Sequence, residues 1–191
     1  MPNARITFDD LYANPELAAR FRSPAVELLD GQMVRQPLPS AAVVAAVVRL
    51  AATFDEQAYG VRVGVRDAVA SAPCDLLRPE VSLTRPGVLP FVRPAPPATG
   101  LLLAVLVVDR LELAQERLRR CAAAGVQETW LLALDEASGV AYGDPQAGRY
   151  RRRELLLPGE PCAPREADWL QVVPLARARS AAGSAAAMAT A

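Results

Sequence analysis

Eight consecutive apolar residues, LLLAVLVV at 101–108, interrupt the mixed pattern around them, and Asp109 follows directly. A run of this length without a polar break predicts a strand buried on both faces. Ala104 is out of character there, because Ala is a weak strand former beside Leu and Val. The next segment, DRLELAQERLRRCAAAG (109–125), changes to helical spacing, with Asp109 as the expected N-cap and Gly125 as the stop. ETWLLAL (128–134) returns to a strand. Strand, helix and strand in this order predict a parallel pair joined by a right-handed crossover.

The same patterning places the other elements. Asn14 before Pro15 and Glu16 caps a helix within 7–22. VELLDGQMV (26–34) predicts two short strands around a tight Asp30-Gly31 turn. Ser40 caps a helix over 41–58 that carries no charge until Arg49, so it is expected to be largely buried, with Gly60 at its stop. VRVGV (61–65) and PEVSLT (79–84) predict strands, and Pro86, Pro90, Pro94, Pro96 and Pro97 predict a loop over 85–100. Residues 137–156 predict a hairpin closed by Gly143-Asp144-Pro145, and LQVVPL (170–175) after Trp169 a last short strand. The expected core includes Val44, Val47, Leu103, Val105, Val107 and Leu131, with Trp130 and Trp169 as anchors and Cys121 as a core thiol. One α/β domain over 1–175 follows, without internal repeats. Residues 176–191 form a low-complexity tail, expected to be disordered.

Composition narrows the chemistry. The apolar fraction of 52% is enough for a sizeable core, and a formal net charge of +0 supplies no global field for nucleic acid. No apolar run is long enough to span a membrane, and the start lacks the apolar centre of a secretory signal. Cys74, Cys121 and Cys162, odd in number and far apart, read as free thiols in a reducing cytoplasm. There is no His and no Lys, and all 21 cationic side chains are Arg. The Ser-His-Asp triad, His-bearing zinc sites, the P-loop and Schiff-base chemistry are therefore excluded. Carboxylates, guanidiniums, hydroxyls and thiols remain, which permit hard-metal chemistry on Asp and Glu or no catalysis at all.

Four segments in order carry a resemblance. ELLDGQMV (27–34) resembles the E-L-I-D-G-E hairpin of the Uma-type family of restriction-endonuclease-like proteins, within the PD-(D/E)XK nuclease superfamily. PEVSLT (79–84) is similar to that family's P-D strand, AAAGVQETWLLALD (122–135) to its G-V-x-E-Y-W segment, and GVAYGDPQAGRYR (139–151) to the hairpin that follows. The resemblance implies a restriction-endonuclease-like α/β fold, a central mixed sheet flanked by helices. It also implies DNA phosphodiester hydrolysis with Mg²⁺ or Mn²⁺, in which acids converge on the ion and a cation nearby orients water. A homodimer is a further expectation from the superfamily.

Carried over residue by residue, the implied site is damaged. Glu27 keeps the hairpin acid, and Glu80 replaces the aspartate of the P-D strand. Ala104 occupies the place of the central metal-binding Glu, and Arg117, four residues before Cys121, the place of the helical Lys. A His usual after the first hairpin is absent, with Ala41 to Val44 in that region. Glu116, or Glu112 or Asp109, could supply a migrated acid; the alternative is a helix cap and a solvated helix face. The implied set is then Glu27, Glu80, Arg117 and Glu116, with Glu80 and Glu27 as metal ligands. Losing a ligand from a Mg²⁺ site removes charge and geometry together, and a guanidinium stays protonated and cannot act as a base. Two functions stay open: a metal-dependent DNA endonuclease, or an inactive pseudo-nuclease, needing no cofactor, that binds DNA or a protein. Arg117, Arg119, Arg120, Arg149, Arg151, Arg152 and Arg153 form either a phosphate-contacting surface or ordinary solvated arginines.

Overall fold

A computed structural model describes residues 5–23, 25–87 and 95–175. Two short helices lead, α1 (Phe8–Ala13) and α2 (Pro15–Phe21). Thr7 and Asp10 form a capping box on the first, and the Asn14 side chain accepts from the Glu16 and Leu17 amides on the second. The expected hairpin follows as β1 (Val26–Leu29) and β2 (Gln32–Arg35). Its turn is left-handed at both Asp30 (φ 51°) and Gly31 (φ 76°), the geometry that a two-residue hairpin requires. Gly31 allows no side chain: a Cβ there would lie 2.5 Å from Cβ of Arg5.

Helix α3 (Ala41–Asp55) starts at Ser40, whose hydroxyl accepts from the Val43 amide at 3.2 Å. Three short strands come next, β3 (Arg62–Val65), β4 (Val69–Ala72) and β5 (Asp75–Leu77), and then β6 (Val81–Thr84). β7 (Leu101–Val108) is the uninterrupted apolar run, buried at all eight positions. A 3₁₀ turn at Leu111–Ala114 leads into α4 (Gln115–Ala123), followed by β8 (Glu128–Ala133), β9 (Ser138–Gln146) and β10 (Arg149–Leu156).

These strands make two sheets. The larger, ordered β10-β9-β8-β7-β6-β3, is mixed: β7 and β8 run parallel and the other pairs antiparallel. The smaller, ordered β2-β1-β5-β4, is antiparallel throughout. From Leu103 onward the apolar residues of β7 divide by alternation, and a register shift against β6 puts Leu101 on the α4 side. Leu103, Val105 and Val107 pack with α3 residues and Trp130, while Leu101, Ala104, Leu106 and Val108 pack with Leu118 and Cys121 of α4. Among the described residues, no helix is long and apolar enough to cross a membrane.

Several expectations are corrected. α3 buries only Val43, Ala46, Val47, Leu50 and Phe54; Val44 is 47% exposed and Val48 61%, so Val44 is not core. A helix of Ala and Val carries no polar face to mark which side turns outward, and packing decides it. Asp109 does not cap α4; its carboxylate accepts from the Ser40 hydroxyl at 2.7 Å. The last hairpin turns at Ala147 (φ 49°) and Gly148 (φ 73°), not at Gly143-Asp144-Pro145. Pro145 is tolerated inside β9 because β8 pairs with it only as far as Gly143, so beyond that point one side of the strand needs no donor. β4 and β5 form a second small hairpin that the pattern did not mark. Around 162–172 only a single bridge, Cys162 to Val172, takes the place of a strand, and Trp169 is half exposed, while Trp130 is fully buried. The three cysteines are free, and Cys121 lies in the core, where burial pushes its thiol up to about 12. The tail at 176–191 and Pro90 and Pro94 lie outside the described residues.

Candidate functional site

Glu80 stands directly before β6, just past the last residue that pairs with β7. Continuing the Val81–Val105 register by one places it opposite Leu106. Its carboxylate replaces the ladder acceptor that the strand no longer provides, taking the Val107 amide on Oε2 at 3.2 Å. Both of its oxygens accept from Arg117 Nη1 at 3.0 Å, and Oε1 also accepts from Arg66 Nη1 at 3.1 Å. Arg117 lies in the first turn of α4, and its Nη2 donates to the Arg78 carbonyl at 2.6 Å.

The second acid arrives from the other sheet. Glu27 is fully buried in β1. Its Oε2 accepts from Gln36 Nε2 at 2.8 Å and its Oε1 from the Arg78 amide at 3.1 Å. Oε1 also lies 3.6 Å from Arg117 Nη2. One guanidinium therefore bridges two buried carboxylates that come from different sheets. Burial pulls the Arg117 guanidinium down, but the Glu80 and Glu27 charges and the hydrogen bond to Glu80 outweigh it, so its pKa stands above the usual arginine value.

Arg78 completes the cluster. Its guanidinium donates to the carbonyls of Val26, Arg66 and Phe21 at 2.8, 3.0 and 2.8 Å and lies 4.5 Å from the centre of the Phe21 ring. Burial lowers its pKa, with Glu27 acting in the opposite direction. A cavity of about 110 Å³ opens beside Glu80 and Arg117, bordered by Pro37, Leu38, Pro39, Arg66 and Asp109.

Of the residues singled out in the sequence, Glu27, Glu80 and Arg117 come together. Glu116 does not join them: it pairs with Arg119 and Arg120 and lines a separate groove of about 560 Å³ with Asp30 and Asp75. Ala104 is buried between Ser82 and Thr129 and packs among Leu101, Leu106 and Val69. Gln36, Arg66 and Arg78 were missed. Arg78, two residues before Glu80, was the accessible signal; Gln36 and Arg66 reach the cluster only through the fold.

A divalent ion does not fit these residues. Mg²⁺ asks for near-octahedral oxygen ligands, from one or two carboxylates with water. All four oxygens of Glu80 and Glu27 already accept hydrogen bonds. Three guanidiniums accompany two carboxylates, so an incoming cation meets net positive charge. Among the described residues, no group of three or more His, Cys, Asp or Glu could hold a metal.

The architecture is a nuclease-like α/β fold. It is shared with the crystal structure of a putative nuclease belonging to DUF820 from Anabaena variabilis ATCC 29413, at a TM-score of 0.63 and 18% identity, over 88% of this chain and 95% of that one. At that identity the likeness speaks for the fold alone. No family model matches the chain, and no curated protein does.

Proposed function

We propose that this chain is a Uma-type, nuclease-fold protein whose cutting centre is silent, and that it works in the cytoplasm by binding DNA without cleaving it. The observation that carries this is the Arg117 guanidinium seated between Glu80 and Glu27, where a nuclease of this superfamily needs a metal ion. DNA as the partner is supported by Arg149, Arg151 and Arg153 on β10, which are exposed and pair with no carboxylate among the described residues. The convergence of Glu27 and Glu80 supports a second reading, in which the chain still acts as a Mg²⁺- or Mn²⁺-dependent endonuclease.

Two measurements separate the readings. Supercoiled plasmid incubated with the pure chain and millimolar Mn²⁺ or Mg²⁺ is expected to stay intact; nicking that disappears in Glu80→Gln would establish the enzyme instead. Fluorescence anisotropy on a short duplex is expected to report weak, salt-dependent binding. Changing Arg149, Arg151 and Arg153 together to Ala should lower the slope of log affinity against log salt by about 3. A wild-type chain that binds no duplex at low salt would remove DNA as its partner.

A further inference from the structure

Two buried carboxylates brought together from different sheets would repel each other if nothing lay between them. In this chain the charge between them belongs to the protein. Arg117 Nη1 is 3.0 Å from both Glu80 oxygens, and its Nη2 is 3.6 Å from Glu27 Oε1. The guanidinium is mostly shielded from solvent, and its Nη2 is held at 2.6 Å by the Arg78 carbonyl, which fixes its orientation. Breaking such a buried group by removing one partner costs far more than replacing the whole group.

We propose that Arg117 is a built-in counter-ion: a covalently tethered cation that does between Glu80 and Glu27 what a divalent metal would otherwise do, making the fold independent of metal. This deepens the reading of a silent nuclease centre and rests on it. The site holds a latent requirement for a cation, and removing the guanidinium exposes it. Of the two acids, Glu27 depends on Arg117 more for its charge: its other donors, the Gln36 side chain and the Arg78 amide, are neutral, whereas Glu80 also accepts from the Arg66 guanidinium and the Val107 amide.

The test uses the full chain and thermal unfolding, with Mn²⁺ binding followed by water-proton relaxation. In wild type, millimolar MnCl₂ is expected to leave Tm unchanged and to produce no bound-ion signal. Arg117→Ala is expected to lose roughly 10 °C of Tm in the absence of metal. Mn²⁺ should restore part of that loss and give one bound ion per chain. Adding Glu27→Gln to Arg117→Ala should raise Tm above that of the single variant and abolish the Mn²⁺ response. Should Arg117→Ala fail to fold, the double variant decides: recovery of folding supports the counter-ion, and no recovery overturns it, because the loss is then one of packing. A folded Arg117→Ala that ignores Mn²⁺ also overturns the proposal, as does a wild-type chain that binds Mn²⁺ through Glu80. Wild type that binds Mn²⁺ but leaves plasmid intact defeats only the counter-ion; wild type that cuts plasmid defeats the silent-centre reading as well.

Discussion

Arg78 spends its guanidinium on backbone rather than on acids. The three carbonyls that it satisfies belong to Phe21 at the end of α2, Val26 at the start of β1 and Arg66 in the β3–β4 connection. Its own amide and carbonyl serve Glu27 and Arg117. Arg78→Met would keep much of the packing against Phe21 and take the Arg78 donor from three carbonyls, that of Phe21 buried and those of Val26 and Arg66 partly buried. Each unsatisfied acceptor costs about 1–3 kcal/mol, so the variant should be destabilised by about 3 kcal/mol or more, measured by urea unfolding. A loss below about 1 kcal/mol would mean that water reaches these carbonyls. The place of Arg78 beside Pro79 and Glu80 was legible, but its partners were not, because nothing in its spacing points to carbonyls 12, 52 and 57 residues earlier. Glu27, Glu80 and Arg117 could be picked out because each sits in a short motif with a recognisable neighbour: Asp30-Gly31, Pro79 and the helix after β7.

Among the elements, β7 was the most readable, since eight apolar residues in a row leave a strand little choice of environment. The start of α3 was equally readable, and it carries a second duty. The Ser40 hydroxyl accepts from Val43 and donates to Asp109 at the end of β7, tying the helix to the central strand. Ser40→Ala should therefore cost about 1 kcal/mol for the lost cap. Asp109→Ala alone should cost less, and the double variant no more than their sum; chemical unfolding of the three variants checks this. Turn positions were less legible. Gly143-Asp144-Pro145 carries a strong turn composition, yet Ala147-Gly148 makes the turn, because β9 runs on past the end of β8 and pairs with β10 alone. The β4–β5 hairpin escaped notice because VASAPCDLL contains neither a Gly-based turn nor a clear alternation.

On the scale of the whole molecule, α4 joins the two sheets through paired charges set three residues apart on both sides. Arg117 reaches Glu27, and Arg120 reaches Asp30 at 2.8 Å and Asp75 at 3.3 Å. The hydrogen bond and charge of Arg120 hold the Asp30 carboxyl below its ordinary 3.8. A carboxyl depressed in the folded state stabilises above its unfolded pKa, and that contribution fades as pH falls through the folded value. Asp30→Asn should therefore lower Tm at pH 7, and the difference from wild type should close below about pH 3.8 as the native carboxyl protonates. A gap that persists at the lowest pH would trace to the turn and not to the charge. The division into two sheets could not be read from the chain, since β1, β2, β4 and β5 are interleaved with strands of the larger sheet and are individually too short to declare their partners.

Because Glu27 is delivered by the smaller sheet while Glu80 and Arg117 are delivered by the larger sheet and its helix, the first thirty-six residues are not an ornament that can be trimmed away. A chain cut back to begin at α3 would keep its longest strand and most of its apolar interior. It would also strand Arg66, Arg78 and Arg117 beside a single glutamate, enlarging the excess of positive charge in the interior. Fragments and fusions of this protein should accordingly be designed with their junctions ahead of Thr7.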